Sequence, residues 1–335
     1  MRWLLGLVTG LFVLWSGYWV VGSRAALTAV QDWVANAPSQ GMNIKTGDIT
    51  LAGYPSRFDL TVTSPQYADP LSGWSWSAPF VQVLALSYQP WKAIVALPNA
   101  QTLSRPGESI GVASDRLRAS VSVFPQAALA LDNIILEGDT VALTSDLGWT
   151  GSARRAVAAL RQVGGLPASY EFGLQVDGLQ PDADFANALA AGSDLPGVMD
   201  SITADVIIAL TAPLDRNAAK VRPQVDGVEV KTVLLVWGPL KLQAEGSLVP
   251  DVQGLASGRI DIRVTNWKHL VPLMVASGAV KPELSQTAGN MLAALAQQSP
   301  DPNELALPLT LADGWMTLGP FPLGAAPALR PQAGL

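Results

Sequence analysis

Residues 240–245 and 259–265 alternate apolar and polar side chains with a period of two. Successive side chains of a strand point to opposite faces, so each segment predicts a strand with one apolar face. Pro250, Gly254 and Gly258 indicate a loop between them, and we expect the strands to pair antiparallel. A one-sided sheet has to cover its apolar face. We expect this face to line a groove for a hydrophobic ligand, with the lining residues Leu240, Leu242, Ile260, Ile262 and Val264.

The same period of two begins near Asn43 in the first half of the chain. Residues 57–63 place Phe58, Leu60 and Val62 on one side, and these three side chains complete the predicted groove. Apolar or alternating segments at 80–88, 91–97 and 116–123 predict further strands, and Gly138-Asp139 predicts a short hairpin. The pattern therefore predicts a mainly β fold (β-rich α+β), with a curved, mostly antiparallel sheet and a few packed helices.

Three segments with helical spacing interrupt the strands, at 152–163, 182–191 and 283–298. A loose repetition of strands followed by a helix suggests two similar halves, about 43–163 and 170–324, within a body that spans 42–324. Residues 325–335 are rich in Pro, Ala and Gly, so they predict a flexible tail.

The segment 3–21 carries no charged residue. A helix rises about 1.5 Å per residue, so this segment would be about 28 Å long, close to the roughly 30 Å hydrocarbon core of a bilayer. Trp3 near one end and Trp15, Tyr18 and Trp19 near the other occupy the positions of membrane-interface aromatics. The pattern predicts a transmembrane anchor over 1–22, in contact with a lipid bilayer.

Residues 23–41 predict a stalk helix and linker, because apolar side chains keep a helical spacing as far as Pro38. Arg2 precedes the anchor, and the positive-inside rule then keeps the N-terminus in the cytoplasm. The expected location is the bacterial inner membrane, with a single pass and a periplasmic body. A cleaved signal peptide is the alternative, because 23–25 offer a weak cleavage site; the length of the apolar run favours the anchor.

Composition narrows the classes of function. Charged residues make up 14 % of the chain, against a usual share of about 25 %. The 21 basic and 27 acidic side chains give a net charge of −6 without a basic run, which excludes the usual nucleic-acid footprint. The chain has no cysteine, so disulfides and thiol chemistry are excluded.

No catalytic constellation stands out in the sequence. His269 is the single histidine, it lies where a strand gives way to a helix, and no glycine-flanked serine elbow accompanies it. One histidine cannot form a histidine metal cluster, and Asp182 and Asp184 fit a helix-start cap better than a calcium loop. We expect no catalytic residue, no metal site and no cofactor; a hydrolase that uses His269 is the least favoured alternative.

Three sequence patches behind the single N-terminal span carry a resemblance. They are GYPSRFDLTV (53–62), GSLVPDVQGLASGRIDIRVTNWKHLV (246–271) and LPLTLADGWMTLGPFPLG (307–324). The chain resembles the alphaproteobacterial family known as domain of unknown function 2125, which implies no activity and no catalytic residues. An inner-membrane anchor before long amphipathic strands is also similar in architecture to AsmA-like envelope proteins, whose sheets form lipid-carrying grooves.

These expectations lead to two hypotheses of function. The first is a membrane-anchored periplasmic protein that binds or passes a hydrophobic ligand, a lipid, along an apolar sheet groove without catalysis. The alternative is a structural cell-envelope scaffold with a closed β core that binds a protein partner.

Overall fold

The computed structural model describes residues 1–70, 72–190, 194–276, 278, 280–297, 299 and 301–330. The chain is 51 % strand and 22 % helix, and its antiparallel sheet does not close on itself, which confirms the mainly β prediction. The chain divides into two compact units: unit 1 is 1–138 with 143–147, and unit 2 is 139–142 with 148–335. The similarity of the two predicted halves stays a prediction.

The chain begins with one long helix, α1 (Arg2–Asn36), of 35 residues. The predicted anchor and stalk thus form one continuous helix. A 3-10 turn (Ala37–Gln40) follows and contains Pro38, which cannot donate a helical hydrogen bond. Gly41 ends the turn with a left-handed backbone (φ 73°).

Unit 1 contains two antiparallel ladders of short strands. One ladder has the order β2–β3–β6–β7–β10 and the other β1–β4–β5–β8–β9. The strands are β1 Asn43–Lys45, β2 Ile49–Ala52, β3 Arg57–Thr63, β4 Gln66–Ala68, β5 Ser75–Ser77, β6 Phe80–Leu86, β7 Gln89–Leu97, β8 Ala100–Arg105, β9 Glu108–Ala113, β10 Arg116–Val123 and β11 Leu131–Ser145, whose residues 139–142 belong to unit 2.

Unit 2 is a meander in which each strand pairs antiparallel with the next along the chain. Register shifts between Asp205 and Val206 and between Val230 and Val233 mark irregularities of the kind that bend strands. Its elements are β12 Thr150–Gln162, β13 Ser169–Gln180, α2 Ala183–Ala190, β14 Met199–Leu210, α3 Ala218–Val221, β15 Val225–Trp237, β16 Leu240–Pro250, β17 Ala256–Thr265, α4 Leu270–Ala276, α5 Ser285–Ala296, β18 Glu304–Ala312, β19 Trp315–Leu318 and β20 Phe321–Ala325.

The predicted hairpin of β16 and β17 is confirmed. Leu242 pairs with Val264 and Ala244 with Ile262 in an antiparallel register. Gly258 lies inside β17 rather than in the loop, and a Cβ there would meet the Ser247 carbonyl oxygen at 2.3 Å. This close backbone approach explains why the strand carries glycine at that position.

Two predicted elements are wrong. The predicted helix at 152–163 is a strand instead, since residues 152–162 belong to β12. Ten residues of this alanine-rich segment pair with β13, and this tertiary pairing outweighs local helix propensity. The segment around Gly138-Asp139 does not turn back, since β11 continues through it from Leu131 to Ser145. The predicted helices at 182–191 and 283–298 are present as α2 and α5, and residues 191 and 298 lie outside the described residues.

The largest apolar core of unit 2 lies between β15–β18 and the helices α4 and α5, which connect β17 to β18. Leu292 of α5 is fully buried against Trp237, Leu240 and Leu305 of the sheet. The indole N–H of Trp237 donates to the Pro196 carbonyl oxygen at 2.6 Å, so this buried polar group is satisfied. The buried members of the core are Leu195, Trp237, Leu240, Val264, Trp267, Leu292, Ala296, Leu305 and Leu307.

Residues 325–330, which the sequence predicts as the start of a flexible tail, make defined contacts. Ala326 is 6 % exposed, and Ala328 forms a backbone bridge with Leu255. Arg330 donates from Nε to the Val225 carbonyl oxygen at 2.7 Å and pairs with Asp226. The remaining tail residues, 331–335, lie outside the described residues.

The substitution Leu292→Ala tests this core. Removing a fully buried leucine leaves a cavity between α5 and the sheet, and we expect a loss of about 2–5 kcal/mol in the free energy of unfolding. Urea unfolding in detergent micelles, followed by tryptophan fluorescence, measures it. Met291→Ala, at a neighbouring position that is 39 % exposed, is the control and should cost much less. Equal losses of unfolding free energy in the two variants would contradict the packing of Leu292 against the sheet.

Candidate functional site

The predicted groove residues of β16 and β17 share one face of unit 2, but helices cover that face. Leu240 is 1 % exposed and Val264 is fully buried, within the core formed with α5. Ile260 is also buried, and Leu242 and Ile262 pack against the same core. In the state described there is therefore no open groove at Leu240, Leu242, Ile262 and Val264, because the helices of this core occupy the space.

The predicted groove residues of β3 have a different environment in unit 1. Leu60 and Val62 are half-buried and pair with Val83 and Val81 of β6. Phe58 is also half-buried, and its ring lies 6.1 Å from that of Trp19 in α1. The same face continues through apolar residues of β7 and β10. We define the unit 1 apolar face as Phe58, Leu60, Val62, Val81, Val83, Ala85, Ala93, Val95, Leu97, Leu117, Ala119 and Val121.

Unit 1 buries few apolar side chains. Among its described residues, the buried apolar positions are Ala37, Ala78, Ile110 and Ala119. A sheet of this size that packed onto its own covering layer would bury several large side chains. Among the described residues of unit 1, the apolar face is therefore less deeply buried than the face that the helices cover on β16 and β17.

A second apolar face lies on β12–β15 of unit 2. Leu174 is flanked by Ala158 and Ala204, and Ala204 by Val233, so an apolar row crosses four strands. At a strand spacing of about 4.8 Å the row is roughly 14 Å long. All of its residues are half-buried. We define the unit 2 apolar face as Ala156, Ala158, Leu160, Phe172, Leu174, Val176, Ile202, Ala204, Val206, Ile208, Val230, Val233 and Leu235.

Both ends of the unit 2 apolar face meet packed structure. At one end Tyr170 is 1 % exposed, and its hydroxyl accepts a hydrogen bond from the Leu214 N–H at 2.8 Å. At the other end Leu235 and Met199 pack against the core under the helices. The unit 2 apolar face thus extends along β12–β15, from the loop that contains Leu214 to the core under the helices.

The opposite side of β12–β15 is charged. Glu171 accepts hydrogen bonds from Lys231 Nζ at 2.8 Å and from Arg161. These two cations lower the pKa of the Glu171 carboxyl, and Glu171 in turn raises the pKa of Lys231. Asp205 lies 3.8 Å from the same ammonium. These ion pairs make one side of β12–β15 polar. The unit 2 apolar face lies on the other side, and none of its residues is charged.

The four predicted membrane-interface residues all lie on α1. Trp3 is 94 % exposed near the start of the helix, within a stretch long and apolar enough to span a membrane. Trp15, Tyr18 and Trp19 donate hydrogen bonds to backbone carbonyl oxygens of unit 1, at 2.9, 2.6 and 2.8 Å. The predicted aromatic cluster is therefore also the contact between α1 and the loops of the sheet.

A depression of about 550 Å³ opens on the side of the unit 1 sheet opposite to the apolar face. Leu84 and Ile94 contribute apolar surface, and Ile94 is 51 % exposed. Arg57 and Lys92 lie at its edge. Asp59 pairs with Arg57 and raises the pKa of its guanidinium. Most of the lining of the depression is apolar, and the two cations lie at its edge.

His269 ends a 3-10 turn (Trp267–His269) that follows β17, as the sequence predicts. Its Nδ1 lies 3.1 Å from an oxygen of Asp194, whose side chain is 83 % exposed. Asp182 accepts hydrogen bonds from the N–H groups of Asp184 and Thr150, both at 2.9 Å, which matches the predicted cap. Among the described residues there is no group of three side chains suited to a metal ion. The absence of catalysis stays a prediction.

The unit 2 apolar face is the feature that sequence reasoning missed as a site. The alternation in 170–176 and 202–210 indicates strands, but the signal in β12 is hidden by its alanine-rich composition. Once 152–163 is placed in a strand, Ala156, Ala158 and Leu160 extend the same apolar face by one strand.

The fold defines a mainly β protein whose N-terminal helix is compatible with a single membrane anchor. The chain belongs to the bacterial family described as "Uncharacterized protein conserved in bacteria (DUF2125)", whose sequence model matches residues 19–327. No curated protein matches the chain.

The ion pairs of Glu171 predict a pH dependence of stability. Because its pKa is lower in the folded state, the stabilisation is present above the unfolded-state pKa of about 4.3 and is lost as pH falls through the lower folded-state value. We expect Glu171→Gln to cost up to about 1 kcal/mol at pH 7 and to flatten the loss of stability in acid. Urea unfolding at pH 7 and in the acid range measures this. Glu245→Gln, at an exposed position of β16, is the control; equal pH profiles for the two variants would contradict the prediction.

Proposed function

We propose that this protein is a membrane-anchored, non-catalytic lipid-binding protein of the bacterial cell envelope. In this proposal α1 anchors it in the inner membrane with the N-terminus in the cytoplasm, and the body lies in the periplasm. Phospholipid acyl chains rest on the half-buried apolar faces of its two units.

The observation that carries the proposal is that the unit 1 apolar face is only half-buried, with Ala119 as its one buried member. Water contact with such a face costs free energy in proportion to its apolar area. The apolar side chains that unit 1 buries are three alanines and Ile110, so an apolar partner on its half-buried face would stabilise it. An acyl chain is apolar along its whole length and needs no hydrogen-bonding groups, which these strands do not offer on that face.

The position of α1 supports a lipid rather than another apolar ligand. Phe58, at the edge of the unit 1 apolar face, packs against Trp19 and lies 3.0 Å from the position of a Cβ on Gly22. A helix that spans a bilayer would therefore bring its lipids to the edge of this face. The low share of charged residues, 14 %, also fits a protein that works beside hydrocarbon.

A scaffold function is the second candidate, and the covered core of unit 2 favours it. The helices α4 and α5 close part of the sheet as they would in a structural domain. In that case a protein partner from the envelope, instead of lipid, would cover the remaining apolar faces.

Photo-crosslinking in membranes separates the two candidates. A photoreactive phenylalanine analogue replaces Leu60 in unit 1 or Leu174 in unit 2, and Thr61 or Gln175 in the matched controls. Each control is the next residue of the same strand and points to the opposite face.

We expect phospholipid adducts, detected by mass spectrometry, at Leu60 and Leu174 and few at Thr61 and Gln175. Adducts to another protein at the apolar positions would favour the scaffold. Adducts within the chain alone, with no lipid, would show that the protein covers these faces itself and would end the lipid proposal.

A further inference from the structure

Three loops meet at one end of the β3–β6–β7–β10 ladder of unit 1. They are residues 53–56 before β3, 87–88 between β6 and β7, and 124–130 after β10. The pairs Arg57 with Leu86 and Ser122 with Lys92 place these loops at the same end, because the strands are antiparallel. None of the three loops contains a charged residue. The turn before β10, at the other end, carries exposed Asp115.

Large apolar or aromatic side chains are exposed at the tips of the three loops. Tyr54 is 49 % exposed, Tyr88 is 53 % exposed and Leu129 is 48 % exposed. Tyrosine at the water–membrane boundary places its ring in the apolar layer and its hydroxyl among the headgroups. Arg57 and Lys92 are the first charged residues beyond two of these loops, which is where basic side chains meet anionic headgroups.

The same loops hold the polar groups of α1. Ser16 Oγ lies 2.9 Å from the Tyr54 hydroxyl, the Trp15 indole donates to Pro55, and the Tyr18 hydroxyl donates to Ser87. Polar groups inside a membrane need partners from the protein, because hydrocarbon offers none. The loops supply these hydrogen-bond partners to Trp15, Ser16 and Tyr18 of α1.

The length of α1 sets the depth of these loops. From Trp3 to Trp15 the helix rises about 18 Å and from Trp3 to Trp19 about 24 Å, at about 1.5 Å per residue. Both distances are shorter than the hydrocarbon core of about 30 Å. If α1 crosses the bilayer, the loops bound to Trp15 and Trp19 cannot stand clear of the membrane surface; they lie in its interface, and the local bilayer thins to meet them.

We propose that residues 53–56, 87–88 and 124–130 form a membrane-docking surface, with a phospholipid bilayer as its partner. The tips enter the boundary between headgroups and acyl chains beside α1. This inference rests on the anchoring by α1 in the proposed function, but not on lipid binding by the apolar faces. It places the end of the unit 1 sheet at the membrane instead of holding the body away from it on a stalk.

The natural lack of cysteine allows a site-specific test with the full chain. Single substitutions Tyr88→Cys, Leu129→Cys, Asp115→Cys and Val13→Cys each receive an environment-sensitive fluorophore, and the protein is reconstituted in phosphatidylcholine vesicles. A second set of vesicles contains phosphatidylcholine with a nitroxide quencher near the start of the acyl chain. Circular dichroism confirms that each labelled variant is folded. Two loop sites, Tyr88 and Leu129, are labelled so that the test still works if one of the two variants does not fold.

We expect strong quenching at Val13, Tyr88 and Leu129, and quenching at least several-fold weaker at Asp115. Quenching at Val13 alone would show that α1 is embedded but that the loops do not dock, which overturns this inference and leaves the anchor intact. Quenching at none of the sites would show that α1 is not embedded, and both the docking and the anchoring would fall. The crosslinking at Leu60 and Leu174 tests the apolar faces independently.

Discussion

Burial of one-sided strands is the constraint on which this structure depends. Each main ladder has one apolar face, and the free energy of folding requires that such a face be removed from water. Unit 2 meets the requirement over β15–β18 with its own helices: Leu292 and Trp267 pack on Leu240 and Val264. Over β3–β10 in unit 1 the buried apolar residues are mostly alanines. The difference between these two regions is the physical basis of the proposed lipid binding.

The charged side of β12–β15 and the docking surface proposed for unit 1 are consistent with this account. Glu171, Lys231 and Arg161 hold the wet face of unit 2 in ion pairs, so its other face is left for apolar contact. In unit 1 the aromatic residues of α1 donate to backbone carbonyl oxygens at one end of the sheet, which joins the helix to that end. Under the proposed function, a lipid would leave the bilayer at the place where the loops of that end and the unit 1 apolar face meet the helix.

Much of the fold can be predicted from the sequence, because the signals involved are local. The alternation in 240–245 and 259–265 predicts β16 and β17 and their shared face, and the uncharged run 3–21 predicts the apolar part of α1. Residues 152–163 are mispredicted, because alanine suits a helix and the pairing with β13 that overrides this preference is a long-range contact. The packing of the helices on the sheet also depends on contacts between residues that are distant in sequence. Leu240 and Leu174 alternate in the same way along their strands, yet only Leu240 lies in the core under the helices.

Native mass spectrometry of the full chain in a mild detergent tests the central claim most directly, when the wild type is compared with Ala204→Asp. Ala204 lies in the middle of the unit 2 apolar face, and a carboxylate there disfavours an acyl chain. Thr203→Asp, on the opposite side of β14, controls for the added charge and for lipids held by α1. The account predicts phospholipid-bound species for the wild type and Thr203→Asp, and fewer bound phospholipids per chain for Ala204→Asp, in which the unit 1 apolar face is unchanged. The same lipid occupancy in all three proteins, or none in any, would contradict it.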